Sequence, residues 1–173
     1  MSPGQTVVVT GANGSGKSTF LKIIAGLLAS DSGAVTRPWS RDIGYASPSI
    51  ELYGDLTGSE NLKFFAAIAG LKLYDDKDLM ATVGLSRAGS KLYSSYSSGM
   101  KQRLKLAFAT LHSPRVVILD EPTIALDSDG VRIVDELIAH HTANGGCALI
   151  ASNNQDEAER WADSRIPIGK QAW

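Results

Sequence analysis

The sequence predicts an α/β fold with a mainly parallel β-sheet and an inserted helical region. Short β-branched runs alternate with longer segments of helical periodicity, which is typical of parallel βα units. Three apolar runs predict strands, at residues 6–10, 116–119 and 148–151. Much of the sequence between the first and second predicted strands has helical periodicity and no strong strand pattern. We therefore expect one domain with core segments 1–50 and 113–173 and a helical subdomain at about 54–112.

The composition is that of an ordinary globular protein. Its 173 residues include 17 Lys and Arg and 18 Asp and Glu, and the formal net charge is −1. This balance gives no support for direct binding to nucleic acid. Because no apolar run has the length of a membrane helix and the first residues do not resemble a signal peptide, a membrane role would require a partner. The one cysteine, Cys147, is expected to be a small buried hydrophobe in a reducing compartment.

The first strand leads into a glycine-rich loop. The stretch GANGSGKST, residues 11–19, follows TVVVT at residues 6–10. Apolar residues then recur at helical spacing, and they predict a helix from Lys17 to Leu28. The loop therefore connects a strand to a helix, which is the context that gives such a motif structural meaning.

This loop fits the pattern G-x-x-x-x-G-K-[ST]. The glycines permit a tight turn whose backbone N–H groups bind phosphates, Lys17 reaches the β- and γ-phosphates, and the Ser18 hydroxyl coordinates Mg²⁺. The following helix directs its positive end at the same site. The sequence predicts a phosphate-loop NTPase core that binds a nucleoside triphosphate with Mg²⁺. The predicted binding residues are Gly11, Asn13, Gly14, Ser15, Gly16, Lys17, Ser18 and Thr19.

Two further helices can be predicted from their patterns. Thr57 stands three residues before Glu60, which predicts a capping box at the start of a helix in TGSENLKFFAAIAG. We expect Leu62, Phe65 and Ile68 to lie on one face of this helix. A second amphipathic helix should follow the turn LDSDG, with a core-facing side formed by Val131, Val134, Leu137 and Ile138.

Two adjacent carboxylates follow the strand at 116–119. In VVILDEPT, Asp120 is placed to hold the Mg²⁺ shell, as the acidic residue after the second strand does in phosphate-loop NTPases. Glu121 is the candidate general base, because a carboxylate just beyond the metal can orient and polarise a water for attack on the γ-phosphate. A solvated strand end is the alternative interpretation of this pair.

The stretch YSSGMKQRLKLAFATLHSPRVVILDEPTIALD, residues 96–127, resembles the ATP-binding domain of ABC transporters. YSSGM is similar to the LSGGQ signature of that family and retains Ser97 and Gly99. KQRLKLA resembles the helix that follows the signature, LDEP the Walker B segment, and ALD, which ends at Asp127, the D-loop. The motifs occur in the family's order, and the resemblance extends from Gly4 to Ile168.

The resemblance implies ATP as the nucleotide and a second ABC ATP-binding domain, identical or different, as a partner. In the family, two such domains enclose two ATP molecules. Ser97 and Gly99 would close over the γ-phosphate held by the other domain, and Asp127 would belong to the same nucleotide-binding interface. Closure and hydrolysis would then drive an integral membrane subunit. The chain would accordingly be cytoplasmic and peripheral, on the cytoplasmic face of the membrane.

Two positions depart from the family pattern. The segment IGYASPSIELY has Pro48 at or near the place of the Q-loop glutamine and contains no glutamine. In LIASNNQDEAE, Asn153 aligns with the usual histidine; it can donate a hydrogen bond to phosphate but cannot carry a proton or a positive charge. The predicted catalytic residues are thus Lys17, Glu121 and Asn153. The chain's histidines, His112, His140 and His141, are expected on the surface near helix C-termini.

The chain begins just before the phosphate-loop strand. We therefore expect the fold to lack the family's N-terminal antiparallel strands and the aromatic residue that stacks on adenine. A trimmed or mis-started gene product is one explanation.

Tyr53 and Leu56 lie in the segment where such domains bind the membrane subunit. An apolar surface there is equally consistent with the core of the helical subdomain.

The leading hypothesis is an ATP-hydrolysing transporter subunit. The rival is an ATP-dependent clamp or regulatory domain that hydrolyses ATP slowly or not at all, which Pro48 and Asn153 favour. An N-terminally truncated fragment is a further alternative. Lys17, Asp120 and Glu121 argue for hydrolysis. A soluble ABC protein acting on ribosomes or DNA is weaker, since the chain has neither a tandem second domain nor a long coiled-coil insertion.

Overall fold

The computed structural model describes residues 1–36, 42–72 and 75–169 of the chain. The strands are β1 (Thr6–Thr10), β2 (Ile43–Ala46), β3 (Val116–Asp120), β4 (Cys147–Ser152) and β5 (Ser164–Pro167). The helices are α1 (Lys17–Ala25), α2 (Gly58–Ile68), α3 (Lys77–Thr82), α4 (Ser98–Thr110), α5 (Ser128–Ala143) and α6 (Gln155–Trp161), with a 3₁₀ turn at Tyr93–Ser95. The predicted core and helical segments also include residues 37–41, 73–74 and 170–173, which lie outside the described residues.

The described strands form one parallel sheet in the order β2-β3-β4-β1-β5. Strands β3 and β1 therefore flank β4, with Val8 of β1 in register with Ile150 and Ile118 of β3 in register with Leu149. The polypeptide leaves these three strands at the same edge of the sheet, where ligands bind in open α/β folds. The predicted α/β fold with a phosphate-loop NTPase core is confirmed, and the three predicted strands are present.

Helices cover both faces of the sheet, which explains the continuous apolar runs in its central strands. On one face Val7, Val9 and Ile118 pack with Leu21 of α1. On the other face Val8 packs in a larger cluster that includes residues of α2 to α6. Cys147 is buried on the α1 face, as predicted.

One helix end differs from the predictions. Helix α1 ends at Ala25 rather than Leu28, because Gly26 adopts a left-handed conformation and terminates it; Leu27 is consequently 58% exposed. The Thr57 capping box of α2 is confirmed, and Leu62 is buried. Ile68 is the last residue of α2 and is 68% exposed.

The region between β2 and β3 contains α2, α3 and α4. Helix α4 packs against β2 and β3, and its Leu104 lies in the same hydrophobic cluster as Leu62 of α2. The division into a core and a helical subdomain stays a prediction. Within the described part of the chain, none of the helices has the length and apolar character needed to cross a membrane.

Candidate active site

The phosphate loop follows β1 and turns back into α1. Gly11 adopts φ +156°, and a Cβ atom there would lie 2.1 Å from the carbonyl oxygen of Ile168. Gly16 caps α1 with φ +100°, a conformation that residues with a side chain rarely adopt. Glycine is thus required at Gly11 by a close backbone contact and favoured at Gly16 by the backbone angle. Ser18 and Thr19 are exposed in the first turn of α1, at the positive end of the helix.

Lys17 is buried, and its ammonium group is hydrogen-bonded to the backbone of the phosphate loop. Its Nζ atom donates hydrogen bonds to the carbonyl oxygens of Gly11 (2.9 Å) and Ala12 (3.3 Å). The same nitrogen lies 3.6 Å from Oε1 of Glu121. The structure therefore brings together the predicted phosphate ligand and the predicted base, which are 104 residues apart in sequence.

Asp120 and Glu121 occupy different environments at the end of β3. Asp120 is 4% exposed, and its Oδ1 atom is buried without a hydrogen-bond partner among the described residues. Glu121 is partly exposed, donates its backbone N–H to the carbonyl oxygen of Ala151 (2.9 Å), and has φ +46°. A left-handed conformation is strained for glutamate, and such strain persists where the surrounding structure enforces it. Asp120 is therefore the last residue of β3, and Glu121 begins the turn that follows it.

Burial raises the pKa of the Glu121 carboxyl above its ordinary value. Two contacts oppose this effect: the backbone N–H of Asn153 donates to Oε2 at 3.4 Å, and the Lys17 ammonium is close to Oε1. The neighbouring Asp120 adds to the increase of the pKa. A raised pKa makes the ionised carboxylate a stronger proton acceptor, whereas the Lys17 ammonium favours the ionised form.

Asn153 connects the loop after β4 to the phosphate loop. Its side-chain Nδ2 donates a hydrogen bond to Oδ1 of Asn13 at 3.0 Å, and its backbone N–H contacts Glu121. An open cleft beside these residues is lined by Thr10–Asn13 and Ser152–Gln155. Three segments that the sequence predicted as functional thus meet at the carboxyl edge of the sheet.

The residues present fit a magnesium ion. A buried carboxylate oxygen without a hydrogen-bond partner, such as Oδ1 of Asp120, is costly unless a ligand satisfies it. Mg²⁺ commonly binds through one or two carboxylates together with phosphate oxygens. Asp120 and the exposed hydroxyl of Ser18 would supply the protein's ligands.

Comparison with known proteins agrees with this geometry. The family model described as "ABC transporter" matches residues 1–124, which is more than half of the chain. The chain belongs to the ABC transporter family. More specifically, it is an ATP-binding domain of that family.

Individual relatives show how much of an ABC protein the chain spans. It is 35% identical over 167 residues to the lantibiotic transport ATP-binding protein SrtF of Streptococcus pyogenes, covering 92% of the chain and 73% of SrtF. It is 37% identical over 180 residues to the uncharacterized ABC transporter ATP-binding protein YdbJ of Bacillus subtilis (strain 168), covering 96% of the chain and 58% of YdbJ. A solved ATP-binding subunit of an ABC transporter superposes with a TM-score of 0.88 at 30% identity, over 97% of this chain and 76% of that one.

The ABC signature lies at the start of α4. Ser97 is the N-cap of this helix, and its hydroxyl accepts a hydrogen bond from the backbone N–H of Met100 at 3.2 Å. A Cβ atom on Gly99 would lie 3.1 Å from the carbonyl oxygen of Ala125 in the D-loop, so the signature and the D-loop are in close contact. The expected helix over KQRLKLA, residues 101–107, is confirmed. The contact of Ser97 and Gly99 with a second domain's nucleotide stays a prediction.

Asp127 has a local structural task at the end of the D-loop. It is the N-cap of α5, and its Oδ1 accepts a hydrogen bond from the backbone N–H of Gly130 at 2.8 Å. Arg103 of α4 lies 3.8 Å from the same oxygen. Since the carboxylate is exposed, it remains accessible to a second domain, and its predicted place in the nucleotide interface stays a prediction.

Two polar residues on the buried side of α4 were not predicted from the sequence. Gln102 is 4% exposed and donates from Nε2 to the carbonyl oxygen of Pro122, the residue after Glu121, at 3.0 Å. Lys105 is 5% exposed and donates from Nζ to the carbonyl oxygen of Pro48 at 2.8 Å. Helix α4 therefore holds both the Walker B turn and the segment at the Q-loop position. The available signal was two polar residues three positions apart in a helix that is otherwise largely apolar on this side.

The expectation of surface histidines holds fully only for His140, since His112 and His141 are partly buried. His140 and His141 lie in the last turn of α5, and His112 follows α4, as predicted. His141, however, is half-buried, with its ring against Gly146, because the backbone between α5 and β4 folds over it. Burial lowers its pKa below the ordinary value near 6.5.

Proposed function

We propose that this ABC domain hydrolyses Mg·ATP as a dimer and thereby drives a separate integral membrane subunit. The observation that carries the proposal is the placement of Glu121. Its carboxylate lies 3.6 Å from Lys17 Nζ and accepts a hydrogen bond from the backbone of Asn153. This proximity supports Glu121 as the base for the attacking water and Lys17 as the group that binds the γ-phosphate.

Each residue at the edge of the sheet has a role in this proposal. The loop from Gly11 to Thr19 binds the phosphates, with Lys17 contacting the γ-phosphate. Ser18 and Asp120 would hold a Mg²⁺ ion, which when bound would neutralise the charge that develops on the phosphates. Glu121 accepts the proton of the attacking water. The side-chain amide of Asn153 has a supporting role through its hydrogen bond to Asn13 of the phosphate loop, because it cannot carry a proton.

Dimerisation around ATP is supported by the signature on α4. Ser97 and Gly99 are at a helix N-terminus, where partial positive charge favours an anion. In a dimer, this N-terminus and the D-loop residue Asp127 would meet the ATP held by the other domain.

The membrane subunit docks on the surface around Tyr53. Tyr53 is 51% exposed and packs edge-on against Phe64, with ring centroids 5.1 Å apart, and it stacks on Phe65 at 5.8 Å. Exposed aromatic clusters are typical of interaction surfaces. Leu56, the other candidate, is partly buried. Docking here would place the domain at the cytoplasmic face of a membrane, and the name of SrtF supports a role in transport.

A clamp that binds ATP without appreciable turnover is the second candidate. Two observations favour it: Pro48 stands at the Q-loop position with its carbonyl bound to Lys105, and Asn153 replaces the usual histidine. Neither residue can move a proton at neutral pH. The proximity of Glu121 to Lys17 favours hydrolysis over this alternative.

Mg·ATP hydrolysis, measured across a range of protein concentrations, tests the proposal. The Lys17→Ala variant serves as the blank, because it removes the phosphate-binding cation. We expect a specific rate that rises with protein concentration, since two domains complete each site. ATP binding with turnover no higher than that of the Lys17→Ala variant at every concentration would favour the clamp. A specific rate independent of concentration would contradict assembly of the site by dimerisation.

A further inference from the structure

Glu157 is a buried carboxylate that none of the proposed steps uses. It lies in the first turn of α6 and is 7% exposed. Its Oε1 accepts a hydrogen bond from the Thr123 hydroxyl, and its Oε2 accepts one from the Ser152 hydroxyl, both at 2.6 Å. Hydrogen bonds of this length to a carboxylate are among the stronger ones in proteins. Each carboxylate oxygen thus binds a hydroxyl from a different loop.

The two hydroxyls belong to the loops that hold the proposed base. Thr123 is two residues after Glu121, in the turn that follows β3. Ser152 is directly before Asn153, whose backbone N–H donates to the Glu121 carboxylate. The backbone N–H of Glu121 is in turn bound to the carbonyl oxygen of Ala151. Glu157 therefore connects the two loops at a second point, besides the backbone hydrogen bond between Glu121 and Ala151.

Helix α6 holds Glu157 in place while it binds both hydroxyls. The Asn154 side chain caps the helix by accepting from the backbone N–H groups of Asp156 (2.9 Å) and Glu157 (3.4 Å). At the other end of α6, the indole of Trp161 donates to Asp135 of α5 at 2.7 Å. The cap stabilises the first turn of α6, and the Trp161 contact attaches its last turn to α5, so Glu157 is held while it binds the two loops.

We propose that Glu157 is a positioning residue that fixes Glu121 relative to Asn153 by binding Thr123 and Ser152 at once. This role rests on the proposed ATP hydrolysis, in which Glu121 orients the attacking water. A displacement of a reacting group by about 1 Å can cost about 100-fold in rate. Loss of the bridge should therefore lower kcat while leaving ATP binding by the phosphate loop unchanged.

Glu157→Gln is the main test, because glutamine keeps the shape but offers only one oxygen to the two hydroxyls. Glu159→Gln is the matched control: it removes the same charge from an exposed position on the same helix. Two quantities are measured for both variants, the steady-state kcat and KM for Mg·ATP, and amide hydrogen exchange in peptides covering 119–127 and 150–156. Exchange is recorded without nucleotide, so it does not depend on catalysis.

We expect Glu157→Gln to lower kcat about 10- to 100-fold with KM within about twofold of the parent, and to speed exchange in both peptides. Glu159→Gln should change neither quantity. Unchanged exchange in both peptides, faster exchange with unchanged kcat, or an effect on KM alone would each overturn the positioning role. If the parent chain binds ATP but does not hydrolyse it, the proposed function fails, and the exchange result still decides whether Glu157 connects the loops.

Two smaller substitutions keep the inference testable if Glu157→Gln does not fold. Thr123→Val and Ser152→Ala each remove one hydroxyl and leave the carboxylate in place. Each should reproduce part of the loss in kcat and increase exchange in its own loop. In a double-mutant cycle, adding Thr123→Val to Glu157→Gln should lower kcat no further, because both act through the same hydrogen bond. Additive losses would contradict the bridge.

Discussion

Replacing Asn153 by alanine separates a supporting role from a direct catalytic one. The substitution removes the hydrogen bond from Nδ2 to Oδ1 of Asn13 and leaves the backbone N–H that contacts Glu121. Both side chains are exposed, so neither is left buried without a partner. The loss should therefore be confined to one neutral hydrogen bond, with no penalty for a stranded polar group.

The magnitude follows from the value of such a bond. A neutral hydrogen bond contributes about 0.5–1.5 kcal/mol, which corresponds to about 2- to 13-fold in rate if the whole contribution is lost in the transition state. We therefore expect Asn153→Ala to reduce kcat by no more than about 13-fold. Removal of a general base costs about 100- to 10,000-fold, so the two roles differ by a margin that steady-state kinetics resolves easily.

The assay is kcat for Mg·ATP in Asn153→Ala, Asn13→Ala and the double variant. If the mutual contact is what matters, the double variant should be no slower than the slower of the two single variants. Asn153→His, which restores the residue usual in the ABC family, should match or exceed the parental kcat. A loss above about 100-fold in Asn153→Ala, with ATP affinity unchanged, would refute the supporting role and place Asn153 in the chemical step.

Three further outcomes are expected. Glu121→Gln should keep ATP binding, stabilise the ATP-bound dimer in gel filtration and lower turnover about 100- to 10,000-fold; hydrolysis at the parental rate would exclude Glu121 as the base. Gly11→Ala should weaken ATP affinity more than about tenfold in calorimetry, because the new Cβ would overlap the carbonyl of Ile168 and shift the loop. Parental affinity would contradict that overlap. Burial holds the pKa of His141 below its ordinary value near 6.5, so the unfolded chain binds more protons and stability falls as pH drops through that value. Denaturant unfolding at about pH 7.5 and about pH 5.5 should show a smaller pH-dependent loss in His141→Gln, and an equal loss would contradict this account.

Local rules in the sequence predicted the central strands and the phosphate loop. Strands β1, β3 and β4 are buried on both faces, and such strands appear in sequence as continuous apolar runs. The edge strands lack that pattern and were not predicted. All four residues of β5 are exposed, and β2 contains a glycine whose Cβ would overlap the carbonyl of Ala109. The pairing of β5 depends on β1, which lies more than 150 residues earlier in the chain.

The position of Asn153 was predictable only through family alignment. Nothing local marks an Asn-Asn pair as part of a site, since such pairs are common in turns. Its contact with Asn13 exists because β1 and β4 are neighbours in register, with Thr10 opposite Ser152. Likewise, Glu121 follows the apolar strand that predicted it, but its left-handed backbone and its distance from Lys17 are properties of the assembled sheet.

The residues that escaped prediction have a common physical origin. Gln102, Lys105 and Glu157 are polar or charged and nearly buried, and each lies on a helix packed against the sheet. Hydrophobic periodicity treats such residues as interruptions of a core-facing side. Each instead binds a loop at the edge of the sheet: the Walker B turn, the Q-loop position, or the two loops beside Glu121. Loops cannot form a hydrophobic core of their own, so a precise site needs polar groups that reach them from a rigid helix. A buried polar residue at a core-facing helical position is therefore a reason to look for a loop that it holds in place.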